Sequence, residues 1–191
     1  LHHEDETLHV RLPMIGRHSV ETALRAAAVG LVEGMSWPEI LNGLGQGHTQ
    51  LRLVAVRSES GALILDDTYN ASPESMLASL NLLSELDARR RIAVLGDMLE
   101  LGPYERQGHE MVGLRAAQVA DVLVTLGPRA HLIGEAARRA GMKPGAVVEF
   151  EDAAQAIQWL QDNLAATDAA IIKGSHGLRM DRIIAALEVH P

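Results

Sequence analysis

From residue 51 onward, short runs of almost purely aliphatic residues alternate with longer amphipathic stretches, and no other feature of the chain restricts its fold as much. Strands are predicted at 51–56, 62–65, 91–95, 122–126, 147–150 and 169–173, with helices between them at about 73–87, 105–120, 129–140, 152–164 and 178–188. A run such as Ala169-Ala170-Ile171-Ile172 has no polar side, so a strand built from it must be covered on both faces. The intervening stretches carry apolar residues at three- and four-residue spacing, Ile183, Ile184 and Leu187 in the last, and supply that cover. Together these patterns predict an α/β fold: a mainly parallel sheet, right-handed crossovers and helices on both faces. The first two strands are separated only by Ser58-Glu59-Ser60-Gly61, close enough for a hairpin that adds an antiparallel edge. Hydrophobic residues make up 47% of the chain and aromatic residues 3%, so the core must be aliphatic.

The first fifty residues follow no such alternation. A strand-like segment, Leu8-His9-Val10-Arg11-Leu12, precedes Gly16-Arg17-His18-Ser19, where Ser19 is placed to cap a helix through Val20, Ala23, Leu24, Ala27 and Leu31 that stops near Gly34. Ser36-Trp37-Pro38-Glu39 has the spacing of a capping box for a short second helix bearing Ile40, Leu41 and Leu44. Residues 43–50, with Gly45 and Gly47, read as a linker. One strand and two helices cannot complete a sheet, so this segment is expected to be the end of a larger domain.

Polar side chains collect just after the predicted strands. Asp66-Asp67-Thr68-Tyr69-Asn70 follows the second, Gly96-Asp97-Met98-Leu99-Glu100-Leu101-Gly102 the third, Thr125-Leu126-Gly127 closes the fourth, and Lys173-Gly174-Ser175-His176-Gly177 follows the sixth. In a parallel sheet all four line the rim at the carboxyl ends, where open α/β sheets bind ligands. Ser72 is placed to cap the next helix with Pro73 at its first position. Gly174, Ser175 and Gly177, leading into the last helix, would offer N–H groups to an anion, with Lys173 adding charge. Plainer readings stand beside these: Gly127 as a turn glycine, Asp97 as a helix cap, His109 facing either the crevice or solvent, and His2-His3-Glu4-Asp5 as a mobile terminus or exposed loop.

Several classes are excluded. Seventeen Lys and Arg against twenty-five Asp and Glu give a net charge of −8, which argues against sequence-independent nucleic-acid binding. No Gly-x-x-x-x-Gly-Lys-Ser/Thr loop, no Gly-x-Ser-x-Gly elbow and no metal-ligand spacing of His, Asp or Glu occurs, so neither a catalytic nucleophile nor a metal site is expected here. The chain has no cysteine, and no apolar run approaches the roughly 20 residues of a membrane span. A cytoplasmic protein without membrane contact is expected.

Three ordered segments carry a resemblance. Asp66-Asp67-Thr68-Tyr69-Asn70-Ala71-Ser72-Pro73-Glu74-Ser75-Met76, Val94-Leu95-Gly96-Asp97-Met98-Leu99-Glu100-Leu101-Gly102 and Lys173-Gly174-Ser175 resemble the C-terminal part of the Mur ligase family, in particular the members that add D-alanyl-D-alanine to UDP-N-acetylmuramoyl-tripeptide in peptidoglycan synthesis. Gly16-Arg17-His18-Ser19 followed by Ala26-Ala27-Ala28 looks like the segment that closes the central ATPase domain of that family. The resemblance implies that residues 1–50 are a C-terminal remnant of the central domain with a linker, and that 51–191 form the Rossmann-like C-terminal domain. It implies ATP and Mg2+ as cofactors of the whole enzyme, with the metal ligands in the N-terminal and central domains that this chain lacks. It also implies an acyl phosphate intermediate attacked by the dipeptide amine.

Carried over position by position, His18, Ser19, Arg52, Asp67 and Asn70 are the implied ATP contacts, and Asp97, Glu100, Lys173, Ser175 and His176 the implied substrate contacts, with no catalytic residue in this segment. Ser19, Thr22 and Ser72 stand where the family commonly has asparagine, and His176 where arginine is more common, which makes an anion contact there sensitive to pH near neutrality. Two other classes stay open. A phospho-acceptor signalling domain shares the acidic pair, a further aspartate, Thr125 and a strand-end lysine, although Asp97 comes one strand early and glycine follows Lys173. A non-catalytic nucleotide- or peptide-binding module is the other. With no triphosphate loop in the sequence, the 191-residue chain alone is expected to give no ATP-dependent ligation; phosphate release in the presence of dipeptide and UDP-tripeptide measures this.

Overall fold

The computed structural model describes residues 2–3, 6–7, 18–45 and 53–189. The chain divides into two compact units, Leu1–Leu51 and Arg52–Pro191. Among the described residues no helix is long and apolar enough to cross a membrane.

The first unit contains a short antiparallel ribbon, β1 (His2–His3) against β2 (Glu6–Thr7), and two helices, α1 (His18–Val32) and α2 (Trp37–Gly45). In the ribbon His2 pairs with Thr7 and His3 with Glu6, so these two histidines lie in a strand where a mobile terminus or exposed loop was expected; Glu4 and Asp5 fall outside the described residues. Helix α1 starts at His18, so Ser19 lies in its first turn and is not the cap expected from its type. The end near Gly34 has a local cause. Gly34 takes a φ of +78°, the Met35 N–H donates to the Gly30 carbonyl at 2.9 Å and the Gly34 N–H to that of Leu31 at 3.0 Å, a Schellman closure. At α2 the Glu39 carboxylate accepts from the Ser36 backbone N–H (2.8 Å) and hydroxyl (2.6 Å), the reciprocal half of the expected box. The predicted strand at 8–12 and most of the linker fall outside the described residues.

The second unit is a sheet of six strands: β3 (Val54–Arg57), β4 (Leu63–Asp66), β5 (Arg90–Gly96), β6 (Val122–Leu126), β7 (Val147–Phe150) and β8 (Asp168–Lys173). Their order across the sheet is β3-β4-β8-β5-β6-β7, with only the β3–β4 hairpin antiparallel. Helices α3 (Pro73–Glu85), α4 (Glu105–Val119), α5 (His131–Arg139), α6 (Ala153–Asn163) and α7 (Asp181–Leu187) fill the connections. The predicted strands and helices are found with ends displaced by a few residues at most.

Period-two alternation sorts the core. Leu65, Ala93, Leu95, Leu123, Ala169 and Ile171 face one layer, where Met76, Leu80 and Leu83 of α3, Val112 and Ala116 of α4 and Ile133 of α5 pack on them. Ile64, Ile92, Val94, Val124, Ala170 and Ile172 face the other, against Leu160 of α6 and Ile183, Ile184 and Leu187 of α7. The crossovers through α3, α4 and α5 all step the same way across the sheet with their helices on one face. The crossover through α6 steps back to β8 with its helix on the opposite face, as a single handedness requires. At the amino ends, Arg90 reaches Asp168 at 2.6 Å and pins β5 to β8. That hydrogen bond holds the guanidinium above its ordinary basicity.

Helices α4 and α5 meet at Gly113. A β-carbon there would run into the Ile133 carbonyl oxygen and come within 2.7 Å of the Ala136 β-carbon. Gly113→Ala is expected to destabilise the chain by about 2 kcal/mol through overpacking, despite a helix-propensity gain of up to about 1 kcal/mol. The shift in urea midpoint checks this.

Candidate functional site

All five parallel strands end on one rim, and four connecting segments build it: β4–α3, β5–α4, β6–α5 and β8–α7. Strand β8 lies between β4 and β5, so the turn that follows it is flanked by the first two of these loops. The polar clusters therefore share one edge because of strand order, not sequence proximity.

The β4–α3 loop is organised by its own side chains. The Asp66 carboxylate accepts from the Thr68 backbone N–H (3.0 Å) and hydroxyl (2.8 Å). Ser72 caps α3 by accepting from the Ser75 N–H (3.3 Å), while the Ser75 hydroxyl accepts from the Ser72 N–H (2.9 Å), with Pro73 at the first helical position. The Asp67 N–H extends the β4–β8 ladder by donating to the Ile172 carbonyl (3.0 Å). The Asp67 carboxylate receives the Ser79 hydroxyl at 2.5 Å and the Lys173 ammonium at 2.7 Å. Lys173 also donates to the Asn70 carbonyl at 2.8 Å and keeps only 3% of its side-chain surface exposed. Tyr69 and Asn70 are exposed.

The β5–α4 loop is held from three sides. The Asp97 carboxylate turns away from solvent, with 3% of its side chain exposed, and one oxygen accepts the backbone N–H groups of Arg129 (2.9 Å) and Ala130 (2.7 Å). Gly127, at φ +108°, leaves room for it; a β-carbon there would lie 2.6 Å from that carboxylate. The Met98 N–H donates to Nε2 of buried His109 (3.1 Å), and the Leu99 N–H to the Ser175 hydroxyl (2.8 Å). Between these anchors and the partly buried Leu101, Glu100 is exposed at a φ of +64°, a left-handed conformation that a side-chain-bearing residue adopts at a cost of about 1–2 kcal/mol. The β8–α7 turn closes the group: the Ser175 N–H donates to the Asp97 carbonyl (2.9 Å), and exposed His176 meets Tyr69 edge-on with ring centroids 6.2 Å apart.

These contacts revise part of the sequence reading. Asp97 and Lys173 do not face outward; both are buried and bonded to neighbouring loops, so each braces the rim. Ser175 has its backbone N–H and hydroxyl engaged, and Gly174 is small because the Met180 sulfur fills the space a β-carbon would need. The last helix begins at Asp181, and a single 3-10 turn, His176–Leu178, precedes it, so the turn after β8 does not lead directly into the helix as expected. Asp67, Asp97, Lys173, Ser175, Glu100, Asn70 and His176 are nevertheless gathered on this edge, with the last three reachable. His18 and Ser19 stand at the start of α1 in the other unit, and Arg52 lies outside the described residues. Sequence reading missed Arg129, Ser79 and the role of His109. His109 had a signal: it shares the buried helical stripe of Val112 and Ala116 at three- and seven-residue spacing.

Arg179, next on the turn at φ +53°, forks onto Asp181 at 3.0 and 2.9 Å, which holds the Asp181 carboxyl below and the Arg179 guanidinium above their ordinary values. Among the described residues no group of three or more His, Asp or Glu side chains converges as a metal site would require.

Comparison with known proteins gives consistent matches. The family described as Mur ligase, glutamate ligase domain, matches residues 51–176. The UDP-N-acetylmuramoyl-tripeptide–D-alanyl-D-alanine ligase of Bacillus subtilis is 32% identical over 183 residues, covering 94% of this chain and 40% of that protein. Its Escherichia coli counterpart is 33% identical over 184 residues, covering 94% and 39%. Among solved structures, MurF from Acinetobacter baumannii superposes with a TM-score of 0.77 at 31% identity, over 92% of this chain and 38% of that one. MurF ligase from Thermotoga maritima in complex with ADP gives 0.65 at 26% identity, over 83% and 35%. The chain spans about two fifths of the length of the curated relatives it matches.

Lys173→Met would leave the largely buried Asp67 carboxylate without its counter-charge. The expected loss of stability is about 3 kcal/mol, read from urea unfolding.

Proposed function

The chain belongs to the Mur ligase family, and on that footing we propose that it is the C-terminal part of an ATP-dependent ligase that joins D-alanyl-D-alanine to UDP-N-acetylmuramoyl-tripeptide. The names of its relatives support this substrate pair. The observation that carries the reading to particular residues is the composition of the rim: Glu100 is exposed in a left-handed conformation between buried anchors, while the other acidic groups of the motif loops, Asp66, Asp67 and Asp97, are engaged within the protein.

On this reading the terminal carboxylate of the tripeptide takes the γ-phosphoryl group of ATP, giving an acyl phosphate and ADP. The dipeptide ammonium gives up a proton, its amine attacks the acyl carbon, and the carbon–oxygen bond to phosphate breaks as the amide forms. The residues of this chain bind and orient. Glu100 receives the dipeptide ammonium, a charge-assisted contact that sets the amine for attack. Asn70, with Tyr69 beside it, contacts the nucleotide, and the Lys173–Asp67 pair holds their loop in place. His176, which meets Tyr69 edge-on, is assigned an anionic group of the nucleotide or acceptor on the family pattern. His18, Ser19 and Arg52 are proposed as further nucleotide contacts on the family pattern alone.

ATP brings Mg2+ in this chemistry, but the described residues offer no three-ligand cluster for it, so no metal-dependent step is assigned to this chain. The metal ligands and the UDP-binding part are proposed to lie in N-terminal and central domains of the complete protein, working in the cytoplasm. The partners are therefore small-molecule substrates and those domains, with no nucleic acid.

The complete protein, given ATP, UDP-N-acetylmuramoyl-tripeptide and D-alanyl-D-alanine, is expected to form the amide with one phosphate released per product. Glu100→Gln should raise the KM for the dipeptide at least about tenfold, equivalent to about 1.4 kcal/mol of lost binding. No ligation by the wild type, or an unchanged dipeptide KM in the variant, would overturn the reading.

A further inference from the structure

We propose that His109 is a positioning residue that sets the Glu100 loop for the amino end of the dipeptide, an inference that rests on the ligase reading above. The ring is fully buried and two neighbouring backbone groups claim both nitrogens. Nδ1 lies 2.7 Å from the Glu105 carbonyl in the first turn of its own helix, and Nε2 accepts the Met98 N–H at 3.1 Å. Only the neutral ring with its proton on Nδ1 satisfies both contacts, because the carbonyl can only accept and the amide can only donate. The contact to Glu105 fixes the ring against α4, so α4 in turn fixes Met98.

Glu100 needs such fixing. At φ +64° it sits in the left-handed region, where a residue with a side chain is less stable than in the extended or right-handed helical regions, and it makes no hydrogen bond of its own among the described residues. The loop keeps it there by using the N–H groups of the two preceding residues: His109 takes that of Met98, and Ser175 takes that of Leu99. The Met98 side chain is wholly buried, and Leu101 packs against the position of Gly108 on α4. The histidine therefore touches no substrate. It determines where the outward-facing carboxylate stands.

The test uses the complete enzyme. His109→Leu removes the acceptor, and His109→Gln restores one at the reach of Nε2. His109→Leu is expected to raise the KM for D-alanyl-D-alanine at least about tenfold while the KM values for ATP and UDP-tripeptide stay within about twofold, and His109→Gln should recover most of the loss. In a Glu100→Gln background, adding His109→Leu should change the dipeptide KM by less than about twofold, because the residue acts through Glu100. Hydrogen exchange in the segment 97–101 should quicken in His109→Leu and not in His109→Gln. If His109→Leu fails to fold, Ser175→Ala, which frees the neighbouring N–H, must give the same selective rise in dipeptide KM. Equal rises for all three substrates, full additivity with Glu100→Gln, no rescue by Gln, or unchanged kinetics would each overturn the proposal. A wild-type enzyme that does not ligate the dipeptide defeats the ligase reading itself and the proposal with it. Exchange in 97–101 that still quickens there would mark the failure as one of substrate and not of bracing.

Discussion

The ammonium of Lys173 is withdrawn almost wholly from water at the end of the strand that lies between β4 and β5, and the rest of the rim is arranged around that fact. A buried lysine is tolerable only where its charge is met, and Asp67 and the Asn70 carbonyl meet it from the loop after β4. Two residues on, the Ser175 backbone N–H and hydroxyl bind Asp97 and Leu99 of the loop after β5. A three-residue turn thus ties together two loops that are separated by a whole helix and strand in sequence. The loop that presents Asn70 and the loop that presents Glu100 are fixed relative to one another by a single backbone segment, so the two exposed side chains share one frame.

Inner and outer polar groups divide the work of this edge. Asp97, Lys173, Ser175 and His109 are buried and hydrogen-bonded, and they shape the loops; Tyr69, Asn70, Glu100 and His176 are exposed. Buried hydrogen bonds to backbone groups are what keep a loop in one conformation when it has little apolar surface of its own. The left-handed Glu100 is the sign that the scaffold imposes a shape the local chain would not choose.

The layer architecture was legible because it depends on patterns that survive in one dimension. Ile171 and Ile172 face opposite layers, and the unbroken apolar run Ala169-Ala170-Ile171-Ile172 within β8 announces two covered faces before any coordinates exist. The capping of α3 by Ser72 and Ser75 and the closure of α1 at Gly34 were also local and readable. The direction of strand-end side chains was not. Asp97 stands where a ligand contact belongs, but its carboxylate swings toward the amides of Arg129 and Ala130, which lie thirty-two and thirty-three positions away along the chain. No spacing rule encodes such a partner, and the same holds for Lys173 with Asp67, 106 positions apart. His109 was undecided between crevice and solvent and proved to be neither, because a polar residue on an apolar stripe becomes readable only once Met98 and Glu105 are seen to use its nitrogens.

Strand β8 comes last in sequence and yet sits at the middle of the sheet, pairing with β4 and β5 through contacts such as Leu63 with Ala169 and Arg90 with Asp168. A growing polypeptide leaving the ribosome can form the β3–β4 hairpin and pair β5, β6 and β7 early, but it holds an open slot between β4 and β5 until its closing segment emerges. The two loops that Lys173 and Ser175 unite have no common reference until that moment. A chain stopped before β8 would lack the segment that joins the loop after β4 to the loop after β5, even if most of the preceding helices and strands had already formed.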